Sequence, residues 1–285
     1  MNYKIALITD STNDLPKEIC EQYDILVVPL NILWGDAQYK DGIDLEAADF
    51  YARLTLTAPL PTTSQPTPQE FLTSYEQAVQ EGAEEIVVIT ISSAMSGTIG
   101  SARAAAEGFR VPVHVVDSKA NTMGLGFQVL AAARAREGGA DAAQMMAAAE
   151  EVRHHVHLHV ILETIDYLFR GGRIAGAARF IGGLLHLKPQ IRVNHETGAV
   201  EAIDISRTRK QSIEHLYNGF FKLLDTSHPL HIAVLHNAAL KEAEELAERI
   251  RQEFNPKELI VTIVSPVLGV HTGPQALALC GYAEG

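Results

Sequence analysis

The chain reads as an α/β protein of two domains: an N-terminal, mostly parallel sheet with helices on both faces, then a smaller C-terminal α/β domain. Three observations predict this. Short, continuous apolar runs rich in β-branched residues recur at Ile5–Ile8, Ile25–Leu30, Ile86–Ile91 and Val113–Val116. Helical patterns separate them, and strands that are apolar throughout belong in a sheet covered on both faces. From about residue 160 the texture changes to shorter strands around a glycine break, which places a boundary near residue 162 and gives domains 1–162 and 163–285.

Taken in order, Ile5–Ile8 is the first strand and Lys17–Gln22 the first helix, before the strand Ile25–Leu30. Helices follow at Leu45–Leu56 and Pro68–Gln80, the strand Ile86–Ile91, the helix Thr98–Glu107 and the strand Val113–Val116. Helix Met123–Arg136 ends at Gly138-Gly139, a sound stop, and Asp141 is placed to cap the next helix, which runs to His154. Beyond Arg170-Gly171-Gly172-Arg173, strands are expected at Leu187–Val193 and Val200–Ile205, joined by a turn at Thr197-Gly198. A helix over Lys210–Leu224 and a strand at His231–Leu235 come next. In Ala238–Phe254, residues Leu240, Ala243, Leu246, Ala247, Ile250 and Phe254 share one helical face. The strand Leu259–Val264 leads into a loop, Gly269–Pro274, expected to precede a final helix.

The 285 residues are enough to bury a sizeable core, and 47% hydrophobic with 20% charged residues is ordinary for a globular protein. A net charge of −12 argues against nucleic acid, which is bound through clustered lysine and arginine. Cys20 and Cys280 are far apart without metal-ligand spacing and suit a reducing compartment. The first strand begins almost at once and no apolar run reaches spanning length, so a cytoplasmic protein without membrane insertion is expected.

The most informative stretches are Leu60-Pro61-Thr62-Thr63-Ser64-Gln65-Pro66 and Ile91-Ser92-Ser93-Ala94-Met95-Ser96-Gly97-Thr98. Both crowd hydroxyls and turn N–H groups into loops without a lysine or arginine, and a helix starting at Gly97 adds its free N–H groups. Serine and threonine also cap helices and make turns. Two such loops, with Thr9-Asp10-Ser11-Thr12 and Asp117-Ser118-Lys119 also at strand ends, favour a crevice for a small anion.

No phosphate-binding loop or dinucleotide fingerprint occurs, so an autonomous ATPase is not expected. Ser96 lacks the glycines of a nucleophile elbow, although Ser96, His271 and Asp117 remain an alternative as a serine hydrolase of acyl esters. His154, His155, His157 and His159 crowd one segment, but no companion ligand motif follows, and a polar strand face is preferred to a metal site. Arg170, Arg173 and Arg207 stand out in an acidic chain as a basic patch for phosphates or an acidic partner, with a solvated surface as the plainer reading.

In order and spacing these motifs resemble those of the DegV family of bacterial fatty-acid-binding proteins, nearly end to end. The matching pieces include Thr9-Asp10-Ser11-Thr12, Val28-Pro29-Leu30, Pro61 through Pro66, Ser92 through Gly97 and Asp117-Ser118. Leu168 through Ile174, Lys188-Pro189, Arg207-Thr208-Arg209 and His271-Thr272-Gly273-Pro274 continue the match. The resemblance implies one long-chain fatty acid buried between or within the domains, its carboxylate hydrogen-bonded by Thr63 and Ser96; without a phosphate-binding loop or nucleophile elbow, the chain alone is expected to be inactive toward ATP and esters. Some members of the family are the acyl-carrying subunit of a fatty-acid kinase, whose separate ATP-binding protein phosphorylates the bound carboxylate; others carry or sense lipid without one. On this reading Ser93 and His271 join the carboxylate network, His271 bonding Ser93 or Ser96, while Arg170, Arg173 and Arg207 face the kinase partner. No catalytic residue, metal or cofactor is assigned. Ala94 and Gln275 depart from the family pattern, which has glycine at both places.

The physical chemistry agrees. A buried acyl chain gains roughly 0.8 kcal/mol per methylene, on the order of 10 kcal/mol for a long chain, against about 1.5–3 kcal/mol for each hydrogen bond to a carboxylate. The tail therefore sets affinity, and the hydroxyls set where the carboxylate sits.

Overall fold

The structure is a computed structural model that describes residues 3–54, 59–173 and 187–285. Ile174 of the arginine–glycine motif and the last two residues of the helix expected to reach Leu56 lie outside them. The chain begins with β1 (Ile5–Asp10), a 3₁₀ turn, α1 (Lys17–Gln22), β2 (Ile25–Val28), β3 (Asn31–Trp34) and β4 (Ala37–Lys40). It continues with α2 (Ala47–Leu54), β5 (Thr62–Ser64), α3 (Pro68–Gln80), β6 (Glu85–Thr90), α4 (Thr98–Ala106) and β7 (Val113–Asp117). Then come α5 (Thr122–Glu137), α6 (Ala142–His155), β8 (His157–Ile161), α7 (Asp166–Arg170), β9 (Lys188–Val193) and β10 (Val200–Ser206). The last elements are α8 (Arg209–Phe221), β11 (Leu230–His236), α9 (Leu240–Phe254), β12 (Glu258–Ile263), α10 (Pro266–Thr272) and β13 (Leu277–Ala283).

The first sheet has the order β2-β1-β6-β7 and is parallel throughout. Its strands are apolar on both faces because both faces are covered. Ala6, Ile8, Ile86 and Val88 pack outward against Phe71 and Tyr75 of α3 and Ala102 of α4. Leu7, Val87 and Ile89 point inward, to the cluster that holds Val129 and Met145 of α5 and α6. The expected cap is in place at α6, where Asp141 accepts from the Gln144 amide at 2.8 Å, and Thr67 with Glu70 forms a capping box at α3.

The second sheet has the order β10-β9-β8-β13-β11-β12. Ala233, Leu235, Ala278 and Cys280 face the same inner cluster, while Ile232, Val234, Leu277 and Leu279 face α8 and α9. The α5/α6 pair is therefore a shared layer between two sheets, and burying it joins both halves into one continuous core. The C-terminal part, shorter in chain, carries the larger sheet.

Four sequence expectations change. The run Ile25–Leu30 stops at Val28, where Pro29 breaks the ladder and the chain turns into the β3–β4 hairpin. Thr62–Ser64, read as loop, is the short strand β5, antiparallel to β3 with Thr63 opposite Ile32. Three hydroxyl residues on an edge carry no alternation by which to recognise a strand. The segment read as the loop Gly269–Pro274 is mostly α10, and the helix expected after it is β13, a central antiparallel strand between β8 and β11. Its Leu-Ala-Leu composition suits a helix, but burial on both faces decides for the sheet. Finally, β8 lies in the second sheet, so the chain crosses between sheets after α6 and a boundary at residue 162 falls behind the strand that opens the second sheet.

Candidate functional site

The ends of β1, β6 and β7 do converge, but their carboxylates are spent on structure. Asp10 is fully buried and accepts from the Thr12 amide and hydroxyl and from the Ile91 amide, which locks the first loop to the end of β6. Burial raises its pKa, and those hydrogen bonds pull the other way. Asp117 accepts from the Ser93 hydroxyl at 2.5 Å and from the Ser93 and Lys119 amides.

A cavity of about 430 Å³ opens beside these loops, between the two sheets. One end is polar, with Thr63, Gln65, Ser96, Arg173, His271 and Thr272. The other wall is apolar and comes from the second sheet, with Leu158 and Val160 on β8, Ile191 and Val193 on β9, and Val200 on β10. The size lies within the range of small-molecule sites. A wider cleft of about 950 Å³ near the start of α10 is lined by Glu21, Asp24, Glu46 and Glu81 with Lys17, a mostly acidic wall that disfavours an anion.

Each polar residue has an identifiable support. Thr63 projects from β5, and its hydroxyl lies 2.8 Å from His271 Nε2. The imidazole comes from the last turn of α10, which Asn237 anchors by donating to the Thr272 hydroxyl and the Gly273 carbonyl. Burial chiefly, and then the nearby Arg173 guanidinium, push the His271 pKa down to about 4, so the ring is neutral at physiological pH. Its Nδ1 is buried without a hydrogen-bond partner among the described residues. Gly171 closes on that nitrogen so tightly that a Cβ there would collide with the ring. Ser96 precedes α4, and its hydroxyl lies 2.8 Å from the Thr98 hydroxyl and accepts from the Thr98 amide. The two hydroxyl loops meet where Gly97 leaves room for the Gln65 side chain, which a Cβ would strike, and Gln65 donates to Ser101 at 3.1 Å.

The structure thus brings Thr63, Ser96 and His271 to one cavity and excludes Ser93. Ser93 is exposed, turned to Asp117 and absent from the lining, so the expected bond from His271 runs to Thr63 instead. Its neighbour Ser92 is also structural, donating to the Gly198 carbonyl and so pinning the β9–β10 hairpin against the first sheet. The alternative triad does not form: Asp117 is held by Ser93, His271 bonds Thr63, and Ser96 bonds Thr98. Among the described residues, no group of three or more histidine, cysteine or acidic side chains is placed for a metal ion. No described helix is long and apolar enough to cross a membrane.

Arg170 and Arg207 are exposed, and Arg173 is both exposed and part of the cavity lining, its Nε donating to the Met95 carbonyl at 3.3 Å. Arg207 follows β10, whose last residue pairs with Lys188 at the start of β9, beside the end of β8. All three arginines therefore lie at one end of the second sheet. Arg173 in the lining, the Gln65 contact and the apolar wall are features that sequence reasoning missed. The wall read simply as core strands, and only its lack of a covering helix on the cavity side would have revealed it. Ala94 is exposed and away from the lining. Gln275 adopts φ 62°, a conformation that favours glycine, and its side chain donates to the Ala238 carbonyl.

The comparisons with known proteins agree with this geometry. Residues 4–284 match the model of an uncharacterised-protein family, DegV. A DegV domain-containing protein of Streptomyces coelicolor is 35% identical over 280 residues, 98% of each chain. A DegV family protein from Thermus thermophilus, solved in a study of its fatty acid binding, superposes with a TM-score of 0.90 at 31% identity, covering 99% of this chain and 100% of the other. DegV of Bacillus subtilis, described as a fatty acid binding protein, gives a TM-score of 0.90 at 30% identity with the same coverage. The chain belongs to the DegV family.

Proposed function

We propose that this DegV family protein binds one long-chain fatty acid in the cavity between its sheets, with the carboxylate at Thr63, Ser96 and His271. The observation that carries the reading is a cavity with an apolar wall and a polar end where hydroxyls and a neutral imidazole stand beside Arg173. Burying the tail supplies on the order of 10 kcal/mol gross, and the hydroxyls and imidazole give the head group its place. The neutral His271 ring donates from one nitrogen only; with Nε2–H donating to the Thr63 oxygen, the Thr63 hydroxyl hydrogen is left for a carboxylate oxygen. Binding needs no cofactor or metal.

The carboxylate is then presented to a separate ATP-dependent kinase in the cytoplasm and becomes an acyl phosphate. Hydroxyls and a neutral imidazole suit that task, because a full salt bridge would stabilise the ground state of the nucleophile. Arg173 stands between cavity and surface, and Arg170 and Arg207 extend the positive edge toward a partner's phosphates. Mass spectrometry of lipid extracted from purified protein tests the first step, and protein that carries no fatty acid and takes up neither palmitate nor oleate would refute it. Reconstitution with palmitate, ATP and the host's candidate kinase tests the second. If no acyl phosphate forms with any such kinase, lipid carriage alone remains.

A further inference from the structure

The helix that delivers His271 is short, and what holds its start is unusual. Pro266 has no N–H and the N-cap Ser265 makes no side-chain cap, so the free donors at the N-terminus of α10 are the Ser265 and Val267 amides. Two buried carboxylates take them: Asp14 accepts from Ser265 N at 2.9 Å and Asp41 from Val267 N at 3.1 Å. Asp14 does more. Its other oxygen accepts the Thr122 hydroxyl at 2.5 Å at the start of α5, and its carbonyl accepts the Thr262 hydroxyl of β12 at 3.0 Å.

Asp14 thereby ties together the starts of α5 and α10 and strand β12, and Thr122, Val267 and the residue that follows β12, Val264, line the cavity. The residue itself is held at φ 51°, a strained setting that the surrounding contacts must enforce. Burial and the neighbouring Asp10 both oppose charging of its carboxyl. A carboxylate buried this way costs stability.

We propose that Asp14 is a positioning residue of the head-group site: by tying Ser265 to Thr122 it fixes the start of α10, and through that helix the place of His271 against Thr63. The proposal rests on the fatty-acid reading above. It requires that loss of the Asp14 clamp be felt by the carboxylate and not by the tail.

The test compares palmitate with hexadecanol, which shares the tail and lacks the carboxylate, on wild-type protein, Asp14→Asn and Asp14→Ala. Asp14→Ala should weaken palmitate about tenfold, the equivalent of one impaired hydrogen bond to a charged group. Hexadecanol should change less than about twofold, since the apolar wall of β8, β9 and β10 is outside the clamp. Asp14→Asn keeps an oxygen for Ser265 N and should recover most of the loss; it also decides the matter if the alanine variant does not fold. Equal losses for both ligands would mean a merely structural residue, and no loss for palmitate in either variant would overturn the proposal. If wild-type protein binds neither ligand, the fatty-acid reading itself fails, a result distinct from wild-type binding with unaffected variants.

Discussion

Val193→Phe should convert the protein into one that prefers shorter acyl chains. Val193 sits on β9 opposite Val200, one step further along the strand than Ile191, which pairs with Val160. The chain leaves the Ile161 end of β8 for α7 and Gly171, which touches His271, so Val193 lies toward the end of the cavity far from the head group. A phenyl ring there displaces about three methylenes of a long tail. At roughly 0.8 kcal/mol each, the loss is about 2.4 kcal/mol, or about 60-fold in affinity for palmitate. Laurate, about four methylenes shorter, ends before the ring and should change by less than about twofold. Titration calorimetry with both acids reads the difference, and Leu158→Phe on the neighbouring strand serves as a second variant if overpacking, at about 1–3 kcal/mol, unsettles the first. Equal losses for the two acids, or none for palmitate, would show that the tail does not run along this wall.

Three further outcomes are expected. Arg207→Glu, outside the cavity, should leave bound lipid unchanged while acyl-phosphate formation in the reconstituted system falls at least about tenfold, as when like charges meet at an interface; undiminished turnover would remove Arg207 from the partner face. In ligand-free protein the His271 imidazole should stay neutral down to about pH 4, because burial and Arg173 oppose its charging. An NMR titration midpoint near its ordinary value of 6.5 would contradict that environment. Burial raises Asp14 to about 7 from an ordinary 3.8, so the folded state holds a proton that the unfolded chain has lost, and wild-type stability falls as pH rises through that window. Asparagine does not titrate, so the melting temperature of Asp14→Asn relative to wild type should climb between pH 4 and 7, and a constant difference would refute the assignment.

Much of the site was legible because its chemistry is local. The two loops that hold Thr63 and Ser96 announce themselves as hydroxyl-rich stretches without lysine or arginine, the family motifs add His271, and Arg170, Arg173 and Arg207 stand out as cations in an acidic chain. The choice among three adjacent serines was not legible. Ser92, Ser93 and Ser96 are chemically alike, yet one pins a hairpin at Gly198, one binds Asp117 and one lines the cavity. Their directions follow from a tight turn in which the Met95 and Ser96 amides bond back to the Ser92 carbonyl, and no pattern of residue types encodes that.

The sequence by itself determined the parallel sheet and most of its helices, since continuous apolar strands and capped amphipathic helices are dictated by burial and local hydrogen bonding. Its hydroxyl loops pointed to an anion, and the order and spacing of its motifs to the DegV family. Only the tertiary structure decided that β13 is a strand and not a helix, because a leucine–alanine segment takes whichever form its neighbours β8 and β11 leave unpaired. Only the tertiary structure, too, turned apolar residues of β8, β9 and β10 into a cavity wall. Whether Leu158 or Ile191 meets another side chain or an empty space depends on how two sheets are held apart by α5 and α6, a distance set by contacts far apart in the chain.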